Sequence, residues 1–281
     1  MSNANIHVPE RFRRIIALHI VKNLIDIPQF RIPLILGIHG PSGEGKTFQC
    51  EYVLSEMGVK TFLISAGQLE SGTAGDPAKL IRETYENASK AVQKDECKAA
   101  VVLINDVDTG LGDWGEKVQT TINTQTVYGE LMHLVDYPHS VAGRATRRIP
   151  LILTGNDFTK LYAPLVRAGR MVAFEWSPTT QEKIDIVSRM FPEIDFNECR
   201  KLVDEFPNEP VSFFAHLRAT LIDEVLWKEI QKVNLSKIVA YINDGHQPEI
   251  KLVVKSDLLI QAGKDLQASG QLINHLKGKR K

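Results

Sequence analysis

The segment from Gly40 to Thr47, which reads GPSGEGKT, constrains the fold of this chain more than any other part of its sequence. It fits the pattern Gly-x-x-x-x-Gly-Lys-Ser/Thr, in which a glycine-rich loop joins a buried strand to a helix. Residues 33–38 precede it as a short apolar run, and residues 47–57 follow it with helical character. This context distinguishes a phosphate-binding loop from an ordinary glycine turn, and it requires an α/β unit.

The chemistry of such a loop predicts what it binds. Backbone N–H groups of the loop and of the helix N-terminus face phosphate oxygens. Lys46 would reach the β- and γ-phosphates, and the Thr47 hydroxyl would bind Mg²⁺. We therefore predict that ATP and Mg²⁺ are the cofactors. The predicted nucleotide-binding residues in and beside the loop are Gly40, Pro41, Ser42, Gly43, Glu44, Gly45, Lys46, Thr47 and Phe48.

Strand and helix signals alternate along the first part of the chain. After the loop, apolar runs that favour strands are separated by helical segments, among them a helix predicted from Asp76-Pro77 with the aspartate as its cap. This alternation predicts a mostly parallel sheet with helices on both faces. The four further strand candidates are residues 60–65, 99–105, 149–154 and 171–176.

The strand signals stop at Ser177-Pro178. Beyond this point the apolar residues repeat at helical spacing only. We therefore predict an α/β nucleotide-binding domain at residues 1–177 and a smaller α-helical domain at residues 178–281. The helical segments predicted in the second domain are residues 181–191, 196–205, 211–230 and 256–276.

Polar residues follow the third and fourth predicted strands. Leu103-Ile104-Asn105-Asp106-Val107-Asp108 places carboxylates at a strand end, where they suit holding Mg²⁺ and polarising a water molecule. Asp106 is the residue we expect to do this, as a catalytic group and a metal ligand, with Asp108 in support. After the fourth strand, Asn156 is either a residue that orients the attacking water or a turn-forming residue beside Asp157.

Two arginines, Arg167 and Arg170, lie three residues apart before the fifth predicted strand. A guanidinium supplied by a neighbouring subunit can stabilise the charge that develops on a transferred phosphoryl group. Both arginines are therefore candidate catalytic residues, although two surface arginines would be unremarkable by themselves.

Composition excludes several other classes of protein. Three cysteines without a Cys-x-x-Cys spacing do not predict a disulfide scaffold or a zinc site. Formal net charge is zero, and the dense basic run is confined to the last residues, so no nucleic-acid partner is expected. No apolar run predicts a membrane span, and no apolar signal core precedes residue 10, so we expect a cytoplasmic protein. A GTPase would show Asn-Lys-x-Asp, which Thr154-Gly155-Asn156-Asp157 is not.

Taken in order, long segments of the sequence resemble the Rubisco activase family, from about Val8 to the last predicted helix. These segments are more specific than a phosphate-binding loop. They are PLILGIHG (33–40), GEGKTFQCE (43–51), SAGQLESGTAGDPAKLIR (65–82), LINDVD (103–108), TINTQ (121–125), TGNDF (154–158), LYAPLVRAGRM (161–171) and VSFFAHLRATLIDE (211–224).

The resemblance implies an AAA+ fold with a helical lid, assembled as a homo-oligomer that is a hexameric ring. It implies that Asn156 is the first sensor and that Arg167 and Arg170 are arginine fingers acting in a neighbouring subunit. It also implies that Arg218 is a second sensor that contacts nucleotide from the lid. Residues 67–75 and 109–115 would line a central pore, and the client would be Rubisco, from which ATP-driven pulling releases inhibitory sugar phosphates.

Departures from the family pattern leave the client open. Residues 110–115 read GLGDWG where the family usually has Gly-Ala-Gly-Arg, and Thr220 stands where plant members have a second arginine. On the resemblance we also expect the amino-terminal extension of plant members and the small-subunit-like module of some cyanobacterial members to be absent. An AAA+ remodeller of another protein and an ATP-binding scaffold with little turnover, suggested by Asn105, are the alternatives.

Overall fold

The computed structural model describes residues 6–25, 27, 30–69, 73, 75–111, 122–248, 250–252 and 255–268. These residues form two compact units. One unit is Glu10–Ser177, and the other combines residues 6–9 with the described residues from Pro178 onward. The assignment of functional domains at residues 1–177 and 178–281 stays a prediction.

Five parallel strands form the main sheet of the first unit. They are β1 (Ile35–His39), β2 (Lys60–Ile64), β3 (Ala100–Ile104), β6 (Leu151–Gly155) and β7 (Met171–Glu175). Their order across the sheet is β2-β3-β6-β1-β7. A separate antiparallel hairpin consists of β4 (Ser140–Val141) and β5 (Arg144–Ala145).

Helices cover both faces of this sheet. Alternate strand residues, such as Val102 and Leu153, pack with α3 and α5, while the intervening residues, such as Leu103 and Ile152, are equally buried on the opposite face. Both faces are covered because side chains of a strand alternate between two sides. The helices of this unit are α1 (Glu10–Leu24), α2 (Lys46–Glu56), α3 (Asp76–Gln93), α4 (Val107–Leu111), α5 (Ile122–Asp136) and α6 (Ala163–Val166).

The predicted start of α3 was wrong in one detail. Gly75, with φ of 87°, occupies the cap position, and Asp76 is the first residue of the helix. Its negative charge still suits the helix N-terminus. Within the loop predicted at residues 67–75, one turn of 3-10 helix spans Ala66–Leu69, and residues 70–72 and 74 lie outside the described part.

The second unit is helical in its described residues. Its core includes apolar side chains from four helices, among them Val187, Leu202, Phe213 and Leu259. Capping boxes at Thr179 and Asp195 begin the first two helices. The helices are α7 (Thr180–Met190), α8 (Phe196–Glu205), α9 (Val211–Val233), α10 (Ile238–Asn243) and α11 (Ser256–Ala268).

The predicted fold class is confirmed: an α/β unit with a parallel five-stranded sheet between helices is followed by a smaller helical unit. All three cysteines are free, and Cys50 and Cys199 are buried. None of the helices in the described residues is both long and apolar enough to cross a membrane.

Candidate nucleotide site

The glycine-rich loop lies at the carboxyl end of β1, in the middle of the sheet. The order of the strands places β6 on one side of β1 and β7 on the other, with β3 next to β6. Because all these strands are parallel, the segments that follow β1, β3 and β6 meet at one edge of the sheet. The sequence motifs that follow three separate strands therefore meet at one site.

The loop's backbone has a shape that its glycines permit. Gly40, Gly43 and Gly45 have φ angles of 144°, 81° and 73°, which residues other than glycine rarely adopt. A Cβ at Gly40 would lie 2.1 Å from the carbonyl oxygen of Trp176. Because α2 begins at Lys46, directly after Gly45, the N-terminus of that helix lies at the end of the loop.

Trp176 and Gln49 support the loop from outside the motif. The buried indole Nε1 of Trp176 donates to the Glu44 carbonyl oxygen over 2.9 Å, and its backbone N–H donates to the His39 carbonyl oxygen. The Gln49 amide donates to the same Glu44 oxygen over 3.1 Å. Sequence reasoning missed both residues, because Trp176 is distant in sequence and no motif spacing marks a supporting glutamine.

Lys46 is buried under the loop. Its Nζ donates to the carbonyl oxygens of Gly40 and Pro41, at 2.8 and 2.9 Å, and to Asn156 Oδ1 at 3.0 Å. Burial lowers the pKa of Lys46, and the nearby carboxylates of Asp106 and Asp108 act in the opposite direction. The predicted sensor Asn156 and the predicted phosphate-binding lysine are therefore in direct contact.

Oxygen atoms converge beside Thr47. Its hydroxyl donates to Asn105 Oδ1 over 3.4 Å, and the Thr154 hydroxyl donates to the same oxygen over 3.1 Å. Thr154 Oγ1 in turn accepts the backbone N–H of Asp106 at 3.3 Å. Hydroxyl, amide and carboxylate oxygens are the ligands that Mg²⁺ prefers. Sequence reasoning did not assign Asn105 or Thr154 to the site, because neither belongs to the loop motif.

Asp106 and Asp108 have different surroundings. Asp106 is exposed next to the oxygen cluster, and its φ of 52° places it in the left-handed region that non-glycine residues rarely occupy. Asp108 is 1% exposed, and its Oδ2 accepts the backbone N–H groups of Asn156 and Asp157 at 3.0 and 2.9 Å. Of these two aspartates, Asp106 is the one whose side chain is exposed at this edge of the sheet.

The two predicted finger arginines also differ. Arg167 is exposed, directly after α6. Arg170 is bonded inside its own unit: it donates to the Pro164 carbonyl oxygen at 3.0 Å, to Met132 Sδ at 3.0 Å and to Asp136 Oδ2 at 3.1 Å. Asp136 is also paired with Arg31, so Arg170 is part of a charged network on the surface of α5.

Within the helical unit, Arg218 of α9 is paired with Glu193. Its two terminal nitrogens donate to the two carboxylate oxygens over 2.8 and 2.9 Å, and these bonds lower the pKa of Glu193. The guanidinium also lies 5.6 Å from the centre of the Phe191 ring.

The other predicted binding residues, Pro41, Ser42 and Phe48, are exposed around the loop. Of the predicted pore segments, residues 112–115 lie outside the described part of the chain.

The fold and this site define a class. Residues 36–179, just over half of the chain, match the family model described as "ATPase family associated with various cellular activities (AAA)". The chain therefore belongs to the AAA family of ATPases, and its site is a nucleotide-binding site. Residues 180–269 match a second model, "Ribulose bisphosphate carboxylase/oxygenase activase, AAA, helical".

Similar curated proteins agree with the second model. The chain is 45% identical over 240 residues to a ribulose bisphosphate carboxylase/oxygenase activase from Anabaena sp. (strain CA / ATCC 33047), an alignment that covers 83% of this chain and 58% of that protein. A chloroplastic activase of Chlamydomonas reinhardtii is 40% identical over 259 residues, covering 89% of this chain and 63% of that protein. An activase of Spinacia oleracea is 38% identical over 275 residues, with coverages of 92% and 58%.

These findings confirm the resemblance to the Rubisco activase family that the sequence motifs predicted. The chain spans 58% to 63% of the length of these three relatives.

Proposed function

We propose that this chain is the motor part of an ATP-hydrolysing, ring-forming remodeller whose client is Rubisco, from which it releases inhibitory sugar phosphates. The observation that carries the proposal is that the similarity to activases includes the helical unit, where a family model specific to activases matches. A nucleotide site alone would support only the wider AAA class. The cytoplasmic location expected from the sequence stays a prediction.

The loop and α2 would hold the nucleotide's phosphates. The left-handed glycines let backbone N–H groups turn toward phosphate oxygens, and Lys46 lies at the carboxyl edge of the sheet with three ammonium donors. On binding, we propose that Lys46 exchanges loop carbonyl oxygens for phosphate oxygens, which are charged and therefore stronger acceptors.

The oxygen cluster fits Mg²⁺. Thr47 and Asp106 would hold the ion, with the amide of Asn105 keeping the Thr47 hydroxyl in place. When bound, Mg²⁺ would supply positive charge next to the phosphates. Asp106 would accept a hydrogen bond from the attacking water, and Asn156 would orient that water from its position beside Lys46.

Completion of the site by a neighbouring subunit is part of the proposal. Arg167 is exposed and could reach across to the nucleotide of a neighbour, as a finger that stabilises transition-state charge. Arg170 would support it, held by Asp136 and the carbonyl of Pro164. Arg218 would act as the second sensor from the lid. The hexameric state rests on the resemblance to activases.

The client assignment is tested with Rubisco from the same source organism, blocked with an inhibitory sugar phosphate. The purified protein with ATP and Mg²⁺ should restore carboxylation, whereas ADP in place of ATP should not. If native protein hydrolyses ATP but leaves the blocked enzyme inactive at every ATP level, the client assignment is wrong.

A matched pair of variants tests the role of Asp106. Asp106 and Asp95 are both exposed aspartates with left-handed φ, at 52° and 60°. Asp106→Asn should abolish turnover while nucleotide still binds, and Asp95→Asn should keep native turnover. The hydrolysis-blocked Asp106→Asn protein should also retain its client, so that mass spectrometry of the captured proteins identifies it.

Two other functions remain as alternatives. An AAA motor for a different client is favoured by Asp113 and Trp114, which differ from the usual family residues in the predicted pore segment and lie outside the described residues. The capture experiment would then recover a protein other than Rubisco.

A scaffold that binds ATP with little turnover is the second alternative, suggested by Asn105. Measurable turnover that disappears in Asp106→Ala would eliminate the scaffold.

A further inference from the structure

Asp108 is a buried carboxylate for which the proposed mechanism has no use. It lies in α4, two residues after Asp106, with 1% of its surface exposed. A buried carboxylate is costly unless its oxygens are bonded. Its Oδ1 makes no hydrogen bond within the part of the chain that the structure describes, so the group is kept at some cost to stability.

The bonds that Asp108 does make all concern one short segment. Its Oδ2 accepts the consecutive backbone N–H groups of Asn156 and Asp157. Its Oδ1 lies against Gly155, where an added Cβ would approach to 2.5 Å. One side chain thus fixes three successive residues at the end of β6, and the close approach requires glycine at residue 155.

This segment carries the side chain that contacts Lys46. With its backbone held by Asp108, Asn156 places Oδ1 3.0 Å from Lys46 Nζ. Asn156 itself is only partly buried and follows the last residue of its strand, where sheet hydrogen bonding no longer fixes the backbone. The position of the Asn156 amide therefore depends on the bonds that Asp108 accepts.

We propose that Asp108 is a positioning residue for the first sensor: it holds the backbone of residues 155–157 so that the Asn156 side chain stays in contact with Lys46. Among the described residues, Asp108 makes no hydrogen bond to Lys46 or to the loop. We therefore infer that it acts through Asn156. The inference rests on the proposed ATPase activity of the same site.

Removing the carboxylate should affect turnover far more than nucleotide affinity. In Asp108→Ala we expect kcat to fall on the order of 100-fold, since a displacement of about 1 Å in a positioned group has an effect of this size. The Kd for a fluorescent ATP analogue should change by less than about threefold, because the loop, α2 and Trp176 are untouched. Asp108→Asn keeps an acceptor oxygen at the same place and should restore most of the turnover.

A double-mutant cycle separates positioning from a general structural role. If Asp108 acts through Asn156, the variant carrying both Asp108→Ala and Asn156→Ala should be no slower than Asn156→Ala alone. Multiplied losses in the double variant would overturn the proposal, as would native-like turnover in Asp108→Ala or an Asp108→Asn variant as slow as Asp108→Ala.

Hydrogen exchange provides a readout that does not depend on activity. The amides of Asn156 and Asp157 should exchange faster in Asp108→Ala than in native protein, whereas amides in the middle of β6 should not. Ser89→Ala is the matched control, because Ser89 Oγ is also a buried acceptor of a backbone N–H, that of Arg147 at 2.8 Å. The control should lose some stability and keep its turnover and its exchange at residues 156 and 157.

The proposed function and the positioning role of Asp108 are contradicted by different results. Native protein without ATP turnover would contradict the proposed function, and the exchange result would still test the contact. Active native protein with an equally active Asp108→Ala variant would contradict only the positioning role. Unchanged exchange at residues 156 and 157 would overturn the inference in either case.

Discussion

At the residue scale, single contacts decide whether the loop can have the shape that binds phosphate. Gly40 and Trp176 approach each other so closely that any side chain at residue 40 would meet the main chain, and the Trp176 indole bonds to the far side of the same loop at Glu44. The loop motif fixes where glycine occurs. The tryptophan beside it explains why glycine is needed.

Gly40→Ala and Gly58→Ala form a matched test of this contact. Both glycines have positive φ, but an added Cβ at Gly58 would meet nothing within 4 Å. Gly58→Ala should lower the free energy of unfolding by about 1 kcal/mol, the cost of a left-handed alanine. Gly40→Ala should cost about 3 kcal/mol or more, because backbone strain and overpacking add.

Urea unfolding measures both values, and binding of a fluorescent ATP analogue should be lost in Gly40→Ala only. Equal unfolding free energies for the two variants would show that the Trp176 contact does not constrain the loop.

At the scale of secondary-structure elements, α1 is joined to the sheet by a buried histidine. The Nε2–H of His19 donates to the carbonyl oxygen of Leu151 in β6 over 3.1 Å, while Phe12 of the same helix packs edge-on against Trp176. Burial lowers the pKa of His19 to about 4 from an ordinary value of 6.5. A neutral imidazole is thus part of the contact between helix and sheet.

This pKa predicts acid sensitivity. Between pH 6.5 and 4 the unfolded chain binds a proton at His19 that the folded chain excludes, so the free energy of unfolding falls as the pH decreases. At pH 5 the loss from this one group should be about 2 kcal/mol relative to pH 7.5. His19→Gln, which keeps an N–H donor, should remove that part of the pH dependence.

Urea unfolding at the two pH values measures the effect, with His139→Gln as the control because His139 is exposed. The control should follow the native curve. Native protein and His19→Gln with the same pH dependence would show that His19 titrates normally.

At the scale of the whole molecule, the proposed function requires a neighbouring subunit to complete the site. The described residues of one chain supply the loop, the oxygen cluster and Asn156, whereas Arg167 lies exposed after α6 and makes no hydrogen bond or ion pair that would hold it at its own loop. Hydrolysis should therefore depend on assembly.

Turnover per subunit should rise with protein concentration and then level off as rings form. Arg167→Ala should lower turnover by about 1,000-fold or more, the effect of removing a trans-acting arginine, while nucleotide still binds. Arg170→Ala should lower turnover as well and should also reduce the unfolding temperature, because it removes the bonds to Asp136 and Pro164.

The matched control is Arg147→Ala, an exposed arginine of the same unit, which should change neither property. Turnover per subunit that is independent of concentration, in a protein that stays monomeric by light scattering, would contradict the ring.

The fold class and most of the candidate site residues could be predicted from the sequence. Glycines, lysine and threonine at fixed spacing specify a loop between strand and helix, and alternating apolar runs specify a parallel sheet, because these patterns reflect local backbone geometry and the burial of each segment. Strand-end position and spacing made Asn156, Arg167 and Arg170 candidates, and the family resemblance assigned their roles and added Arg218. The sequence placed Asp106 ahead of Asp108 as the catalytic group, but it did not predict that Asp108 is buried, since both residues follow the same strand.

Which polar groups lie in contact with one another could be seen only in the tertiary structure. Strand order brought Asn105 and Thr154 beside Thr47, although Asn105 directly follows β3, Thr154 lies in β6, and neither belongs to the loop motif. It buried Asp108 against Gly155 while leaving Asp106 exposed, and it bonded Arg170 to Asp136 while leaving Arg167 exposed. Hydrogen bonds and burial depend on distances between segments remote in sequence, and those distances exist only after the sheet has formed.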